Sequence, residues 1–173
     1  MRVSRMFIII FALLAIGAFF LPYFTSSGSL NEFGKAFGNE IIDETVNVTG
    51  TEMTKPSLFT YCKIFFSDND VLRDTFRGLM ICLVPFNTFL ILLFGLTGVA
   101  VPALIFSIFL GGSEFIVYKD FELRGVIPSS NIDFGIAFYI LWGCAILLFI
   151  VSICGIVEKH NYKERLRQRR YRY

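Results

Sequence analysis

Few residues in this sequence have the types and spacing that chemistry requires. Glu114 is the only acidic residue well inside an apolar run, and the single histidine, His160, lies in a basic C-terminal segment. Ionisable groups inside a membrane often mark ion or proton pathways, but Glu114 stands four residues before Tyr118, near the end of its run. We therefore expect Glu114 at the membrane interface and His160 in solvent. The sequence predicts no enzyme, no cofactor and no metal site.

The four cysteines and one glycosylation triplet are the remaining reactive candidates. Cys82, Cys144 and Cys154 lie in apolar runs and Cys62 in a polar segment, so two loop cysteines cannot pair within one chain. Cys62 is expected to be buried or reduced, with a bridge to another chain as the alternative. Cys154 is a palmitoylation candidate or a packed residue. Asn47, in Asn-Val-Thr, is a candidate for N-glycosylation.

An uncharged stretch sets the number of membrane crossings. Residues 78–113 contain no Asp, Glu, Lys, Arg or His. One helix of that length would be roughly 54 Å long, and a bilayer core is about 30 Å thick, so the stretch must cross twice. The glycines at 95 and 98 predict the turn, and Pro102 suits the first turn of the next helix.

Together with two further apolar runs, this stretch predicts a single domain, 1–173, with four spans. We place spans at about 6–24, 77–95, 99–118 and 134–157, outer loops at 25–76 and 119–133, and a tail at 158–173. Basic residues accumulate on the cytosolic side, which puts both termini in the cytosol. An N-terminal signal peptide within 1–27, whose cleavage would leave three spans, is the competing interpretation.

Charge is divided between the two predicted faces. Residues 23–76 have net charge −4, and the tail has net charge +5. The tail is expected to contact the anionic inner leaflet, without specific phosphoinositide recognition, and no nucleic acid. Its basic residues are Lys159, Lys163, Arg165, Arg167, Arg169, Arg170 and Arg172.

The first outer loop is long enough for secondary structure of its own. Residues 45–49 alternate as a strand does, followed by a turn at Gly50, and residues 58–66 are rich in aromatic and β-branched types. Both segments predict strands of an extracellular antiparallel sheet. Capping residues at 67–70 predict a short helix over 71–76 that leads into the second span.

Three local segments carry a resemblance. They are Cys-Lys-Ile-Phe at 62–65 with Arg-Gly-Leu-Met at 77–80, Lys-Asp-Phe at 119–121 with Val-Ile-Pro at 126–128, and the run 133–142 that ends in Trp. They resemble the claudin superfamily, which includes peripheral myelin protein and the stargazin-like channel subunits. The resemblance implies an all-α transmembrane four-helix bundle with a small extracellular antiparallel β-sheet. The family-matched structural positions are Phe24, Cys62, Arg77, Asp120 and Trp142.

Departures from the family pattern indicate a divergent relative of these proteins and not a standard claudin. Phe24 stands where claudins have their first loop tryptophan, and Cys62 matches either the first or the second family cysteine, so the family disulfide is absent within this chain. The resemblance implies a plasma-membrane protein that acts in cell–cell contact, adhesion or a paracellular barrier or channel through self-association. The alternatives are an auxiliary subunit of an ion channel or receptor and, more weakly, a lipid-organising protein.

Overall fold

The computed structural model describes residues 3–38, 40–43, 47–67, 74–127 and 131–170, and its main body is formed by four helices. Three are long and apolar enough to cross a membrane, and the first is apolar but shorter, with 16 residues. We number all helices in chain order. The four are α1 (Val3–Ala18), α5 (Thr75–Thr97), α6 (Ala100–Leu123) and α7 (Ile136–Arg170).

These four helices pack in a ring in which α1 contacts α5 and α7, and α6 contacts the same two. Successive helices run in opposite directions. We call the end with the N-terminus and the α5–α6 turn the tail end, and the opposite end the loop end. Small side chains of α1 face inward, with Ala12, Ala15 and Ala18 all buried, whereas Gly17 faces outward. Leu and Phe side chains such as Leu13, Phe86 and Phe109 are exposed around the outside, as lipid-facing residues are.

The predicted turn between the second and third spans is confirmed. Gly98 has φ 73° in the left-handed region and ends α5, and Pro102 lies in the first turn of α6. The Arg5 side chain caps the end of α5, donating from Nε to the Gly95 carbonyl at 3.1 Å and from Nη2 to the Leu96 carbonyl. An arginine at a helix C-terminus satisfies carbonyls that have no partner within the helix.

The first helix ends earlier than predicted. Span 6–24 was expected, but α1 stops at Ala18 and the next three residues turn through bonds to carbonyls three residues back. The backbone at Pro22 then passes close to Gly135 and the start of α7, and we call this close contact the passage at Pro22. The Pro22 carbonyl accepts from Ala137 N at 3.0 Å. A Cβ on Gly135 would lie 2.2 Å from that Pro22 oxygen, so only glycine allows this approach.

The remaining elements lie at the loop end. They form two antiparallel two-stranded sheets, β1 with β4 and β2 with β3. Their bounds are β1 (Phe24–Ser26), α2 (Ser29–Phe37), β2 (Ile41–Asp43), β3 (Val48–Thr49), α3 (Gly50–Thr54), α4 (Leu58–Phe65) and β4 (Ile132–Phe134). Phe24 pairs with Phe134, so the strand that follows α1 is joined to the strand that precedes α7.

Two predictions about this region need correction. Of residues 58–66, Leu58–Phe65 form helix α4 and not a strand, because Ser57 caps it by accepting from Thr60 N at 3.1 Å. Leu58, Cys62 and Phe65 are buried at helical spacing, so the burial of one helical face outweighs the β-propensity of these residues. The predicted 45–49 strand is confirmed only at Val48–Thr49, since residues 45 and 46 lie outside the described residues, and α3 starts at Gly50 where a turn was expected.

The other boundaries shift by several residues. The predicted helix over 71–76 lies mostly outside the described residues, and α5 begins at Thr75 with Asp74 as its N-cap. The fourth predicted span, 134–157, begins with the last residue of β4, and its helix continues to Arg170. The tail is therefore helical over residues 158–170.

Candidate functional site

The loop end of the bundle is held together by a chain of charged side chains. Arg77 Nη1 lies 2.7 Å from Asp74 Oδ2, and Arg77 Nε donates to Asp120 Oδ1 at 3.2 Å. Arg124 Nη2 approaches Asp120 Oδ2 at 2.5 Å, an ion-pair contact without hydrogen-bond geometry, and Arg124 Nε donates to the Asp120 carbonyl. These side chains are a quarter to two-fifths exposed. Alternating charges thus couple the start of α5 to the end of α6.

Two of the family-matched residues, Arg77 and Asp120, are therefore brought into direct contact. Asp74 and Arg124 complete the chain and were not singled out from the sequence. A signal for them existed, because charges of opposite sign stand beside the ends of two adjacent predicted spans. Arg124 also stacks over Phe65 and Phe121, with its guanidinium carbon 5.3 and 4.8 Å from the ring centroids.

A buried aromatic cluster lies next to these charged side chains. Phe24 packs edge-on against Phe121 at 4.8 Å between ring centroids, and Tyr61 lies at the same distance from Phe121. Burial raises the pKa of the Tyr61 hydroxyl well above its usual range, with Arg124 acting in the opposite sense. Phe134 stacks on Phe138 at 4.0 Å. The family-matched Phe24 is thus a core residue that joins the strands to the helices.

Glu114 lies within the bundle and not at its surface, contrary to our expectation. Its side chain is fully buried, and Tyr23 donates its hydroxyl to Glu114 Oε2 at 3.2 Å. No described residue donates to Oε1. Tyr23 was not predicted as a partner, because it follows the end of α1 and reaches Glu114 only through the passage at Pro22. The pair is a buried polar contact, and it has no histidine beside it among the described residues.

A small lobe projects from the loop end, which we define as the described residues of 29–54. Its helices α2 and α3 meet where Gly34 touches Thr54, and α3 begins with a capping box between Thr49 and Glu52. Glu52 Oε1 also accepts from Lys63 Nζ at 3.1 Å, which ties the lobe to α4. Burial acts to raise the pKa of Glu52, but hydrogen bonds from Thr49 and Lys63 outweigh it and lower that pKa.

Three large apolar side chains of the lobe are exposed. Phe37 is 41% exposed, Ile41 53% and Met53 58%. They belong to adjoining elements of the lobe: Gly50 lies against Phe37, Thr49 pairs with Ile41 across β2 and β3, and Met53 is one turn along α3 from Gly50. We call Phe37, Ile41 and Met53 the lobe patch. Apolar groups clustered in this way at a surface are typical of protein contact sites.

The other predicted site residues fall at separate places. Asn47 is exposed at the loop end, immediately before β3, with φ 52°. Trp142 is half-buried, and no described residue accepts from its Nε1. Cys154 is exposed on α7, and Cys144 is buried. Cys62 is a buried free thiol whose sulfur lies 3.7 Å from the Cys82 sulfur.

The basic tail lies at the opposite end from Asn47. Lys159, Lys163, Arg165 and Arg167 are exposed on α7, the side chains of Arg169 and Arg170 lie outside the described part, and Arg172 lies beyond the described residues. His160 is exposed as expected and lies 3.7 Å from Glu164. Ser4 donates to Glu158 Oε2 at 2.8 Å, which joins the start of α1 to α7. Within the described ranges no group of three His, Cys, Asp or Glu could hold a metal.

The fold and its apolar exterior define a helical membrane protein with at least three helices able to span. No protein-family model matches the chain, and searches of curated proteins and of solved structures give no significant match.

Proposed function

We propose that this chain is a claudin-like, non-enzymatic, four-span protein of the plasma membrane that makes protein contacts through its extracellular loops. In this proposal α1 is the fourth crossing, the loop end faces outward and both termini are cytosolic. The contact is with a second copy of the chain, in the same or an opposing membrane, and it serves adhesion or a paracellular barrier. The lobe patch is the observation that carries this proposal.

The lobe patch suits such a contact for two physical reasons. Burying its three side chains removes apolar area from water, at about 25 cal/mol per Å². The α2–α3 contact also holds the lobe together and the Glu52–Lys63 ion pair joins it to α4, so docking needs little ordering of its backbone.

The arrangement of the family-matched residues adds support. Arg77 meets Asp120 and Phe24 meets Phe121, so residues from the end of the first predicted span, the start of the second and the second predicted outer loop come together at one end. The basic stretch of α7 lies at the other end, as the positive-inside rule requires for a cytosolic tail. Attachment of sugar at Asn47 would place the loop end in the lumen or outside.

The test is assembly at cell contacts. Cells that express a fluorescently tagged chain are mixed with cells that express a second colour, and enrichment of both colours at shared borders is expected. Replacing Phe37, Ile41 and Met53 together by Ser should abolish enrichment while the protein still reaches the surface. Replacing the exposed bundle residues Leu13, Phe86 and Phe109 by Ala is the control. Enrichment that survives loss of the lobe patch would contradict the proposal.

A second surface favours the auxiliary-subunit alternative. A cavity of about 390 Å³ lies between α5 and α6 at the loop end, and the apolar side chains Phe76 and Leu123 beside it are 66% and 86% exposed. Such a surface suits a side-on contact with another membrane protein. Stoichiometric recovery with a large multi-span channel or receptor in mild detergent, lost on Phe76→Ser and Leu123→Ser, would decide for this alternative.

A further inference from the structure

Helices α4 and α5 approach each other along matched positions. Phe66, the C-cap of α4, lies against Gly78, where an added Cβ would be 2.8 Å from the Phe66 ring. One helical turn away on each helix, Cys62 and Cys82 face each other with their sulfurs 3.7 Å apart. Asp74 N donates to the Phe65 carbonyl at 3.1 Å and fixes the same junction. The two sulfurs therefore face each other where α4 and α5 are closely packed, one helical turn from the Phe66–Gly78 contact.

We propose that Cys62 and Cys82 are an oxidisable pair that a disulfide oxidant converts into an intramolecular cross-link between α4 and α5. The bond length of a disulfide is about 2.05 Å, so the sulfurs must approach by roughly 1.7 Å. This pairing is not the arrangement of two loop cysteines that the claudin resemblance would imply. It joins a cysteine of the first loop to one in the second predicted span.

The chemistry is thiol–disulfide exchange with an oxidised dithiol or oxidised glutathione. The Cys82 thiol loses its proton, and the thiolate attacks one oxidant sulfur, so that the oxidant's S–S bond breaks and one thiolate leaves. The Cys62 thiol then loses its proton and attacks the Cys82 sulfur of the mixed disulfide, which expels the second thiolate. Two protein thiols are oxidised, and one oxidant disulfide is reduced to two thiols.

The two cysteines are suited to different steps. Cys82 is partly exposed, whereas Cys62 is only 8% exposed, so Cys82 is the more accessible of the two thiols. Burial, reinforced by the neighbouring Cys82 sulfur, raises the pKa of Cys62 to about 12. Cys62 is therefore a thiol at neutral pH and reacts second, once the oxidant is already attached beside it. The disulfide should therefore form slowly, and it should form within one chain.

The first experiment treats the purified full-length chain in detergent with oxidised glutathione and maps its peptides without reduction. A peptide containing Cys62 joined to one containing Cys82, lighter by two hydrogens, is the expected product. Cys62→Ser and Cys82→Ala should each abolish it, and Cys154→Ser should leave it unchanged. The oxidised wild-type chain should also melt at a higher temperature than the reduced chain, and this difference should vanish in Cys82→Ala.

Two results would overturn the pairing: both thiols remaining open to alkylation after oxidation, or a cross-link that uses Cys154 or joins two chains. The formation of the bond in cells rests on the outward-facing loop end of the proposed function, since secretory compartments are oxidising. Alkylating intact cells before lysis tests this separately. A pair that cross-links in detergent but stays reduced in cells supports the pairing and contradicts the outward placement.

Discussion

Arg77 and Asp120 are joined across two helices, with Arg77 Nε 3.2 Å from Asp120 Oδ1. The Asp120 carboxylate forms an ion pair with Arg124 as well, so it contacts both arginines in this series of charged side chains. The series of charged side chains continues to Asp74 at the N-cap of α5, where a carboxylate also stabilises the helix dipole. Asp120 is consequently the residue on which this coupling depends most.

Replacing Asp120 by Asn should lower the free energy of unfolding by about 1–2 kcal/mol, because it removes one side of two partly exposed ion pairs. Glu122→Gln is the control, since it breaks only the exposed Lys119–Glu122 pair and should lower the stability far less than Asp120→Asn. Thermal unfolding in one detergent compares them. Equal losses for the two variants would contradict the coupling.

The passage at Pro22 predicts a strong effect of a single methyl group. Gly135→Ala would place a Cβ 2.2 Å from the Pro22 carbonyl oxygen, so the backbone must move, at a cost of about 2 kcal/mol or more. Gly143→Ala, in the same region of sequence, meets nothing within 4 Å and should be neutral or stabilise α7 by up to about 1 kcal/mol. Unfolding curves that show no difference would count against the passage.

The lobe should weaken in acid through Glu52. Since the folded-state pKa of Glu52 is lowered from its ordinary 4.5, its contribution is present above that value and is lost as pH falls through the folded pKa. The contribution is about 1 kcal/mol or less, because the group is one-third exposed. Proteolysis of the lobe at several pH values should show wild type approaching Glu52→Gln in acid. A Glu40→Gln control, in the same lobe, should follow wild type.

The charge of the first loop predicts cation preference if the protein lines a paracellular path. Residues 23–76 have net charge −4, and a cleft with negative walls concentrates cations. Dilution potentials across cell layers expressing the chain should favour sodium over chloride. Neutralising the exposed Glu32 and Glu40 should reduce the preference. A measured preference for chloride would exclude this role.

The basic tail, which forms the last part of α7, should bind anionic lipid in a salt-dependent manner. Lys159, Lys163, Arg165 and Arg167 are exposed, and each basic residue near an anionic surface contributes about 1 kcal/mol. Tryptic cleavage of the tail should be slower in nanodiscs with phosphatidylserine than in neutral ones, and the difference should shrink at high salt. Equal cleavage in both lipids would remove lipid contact from the proposal.

The sequence predicted the features that depend on length and local conformation. The uncharged run 78–113 required two crossings, and α5 and α6 turn at Gly98 as expected, because a positive φ there suits glycine. The strand predicted for segment 58–66 was wrong, although its aromatic and β-branched residues favour strands in isolation. Ser57 as a cap and the burial of Leu58 and Cys62 on one face made it a helix.

Contacts between distant segments were beyond local inference. Nothing around Tyr23 indicates that its hydroxyl meets Glu114, since the two are 91 residues apart and the contact depends on how the chain passes Pro22. The same holds for Cys62 and Cys82, which were assigned to a loop and a span. Charge was more informative, because Arg77, at the start of the second predicted span, and Asp120, in the second predicted outer loop, were both expected on the same side of the membrane.

Helix α7 has 35 residues and is therefore about 52 Å long, some 20 Å more than a bilayer core is thick. It starts directly after the β4 strand, which is paired with β1. A tilt of about 20° imposed there would swing the far tip by roughly 18 Å. In the proposed topology the paired strands and the basic end of α7 lie on opposite faces of the membrane, so a change of tilt at the strands would displace the charged end on the other face.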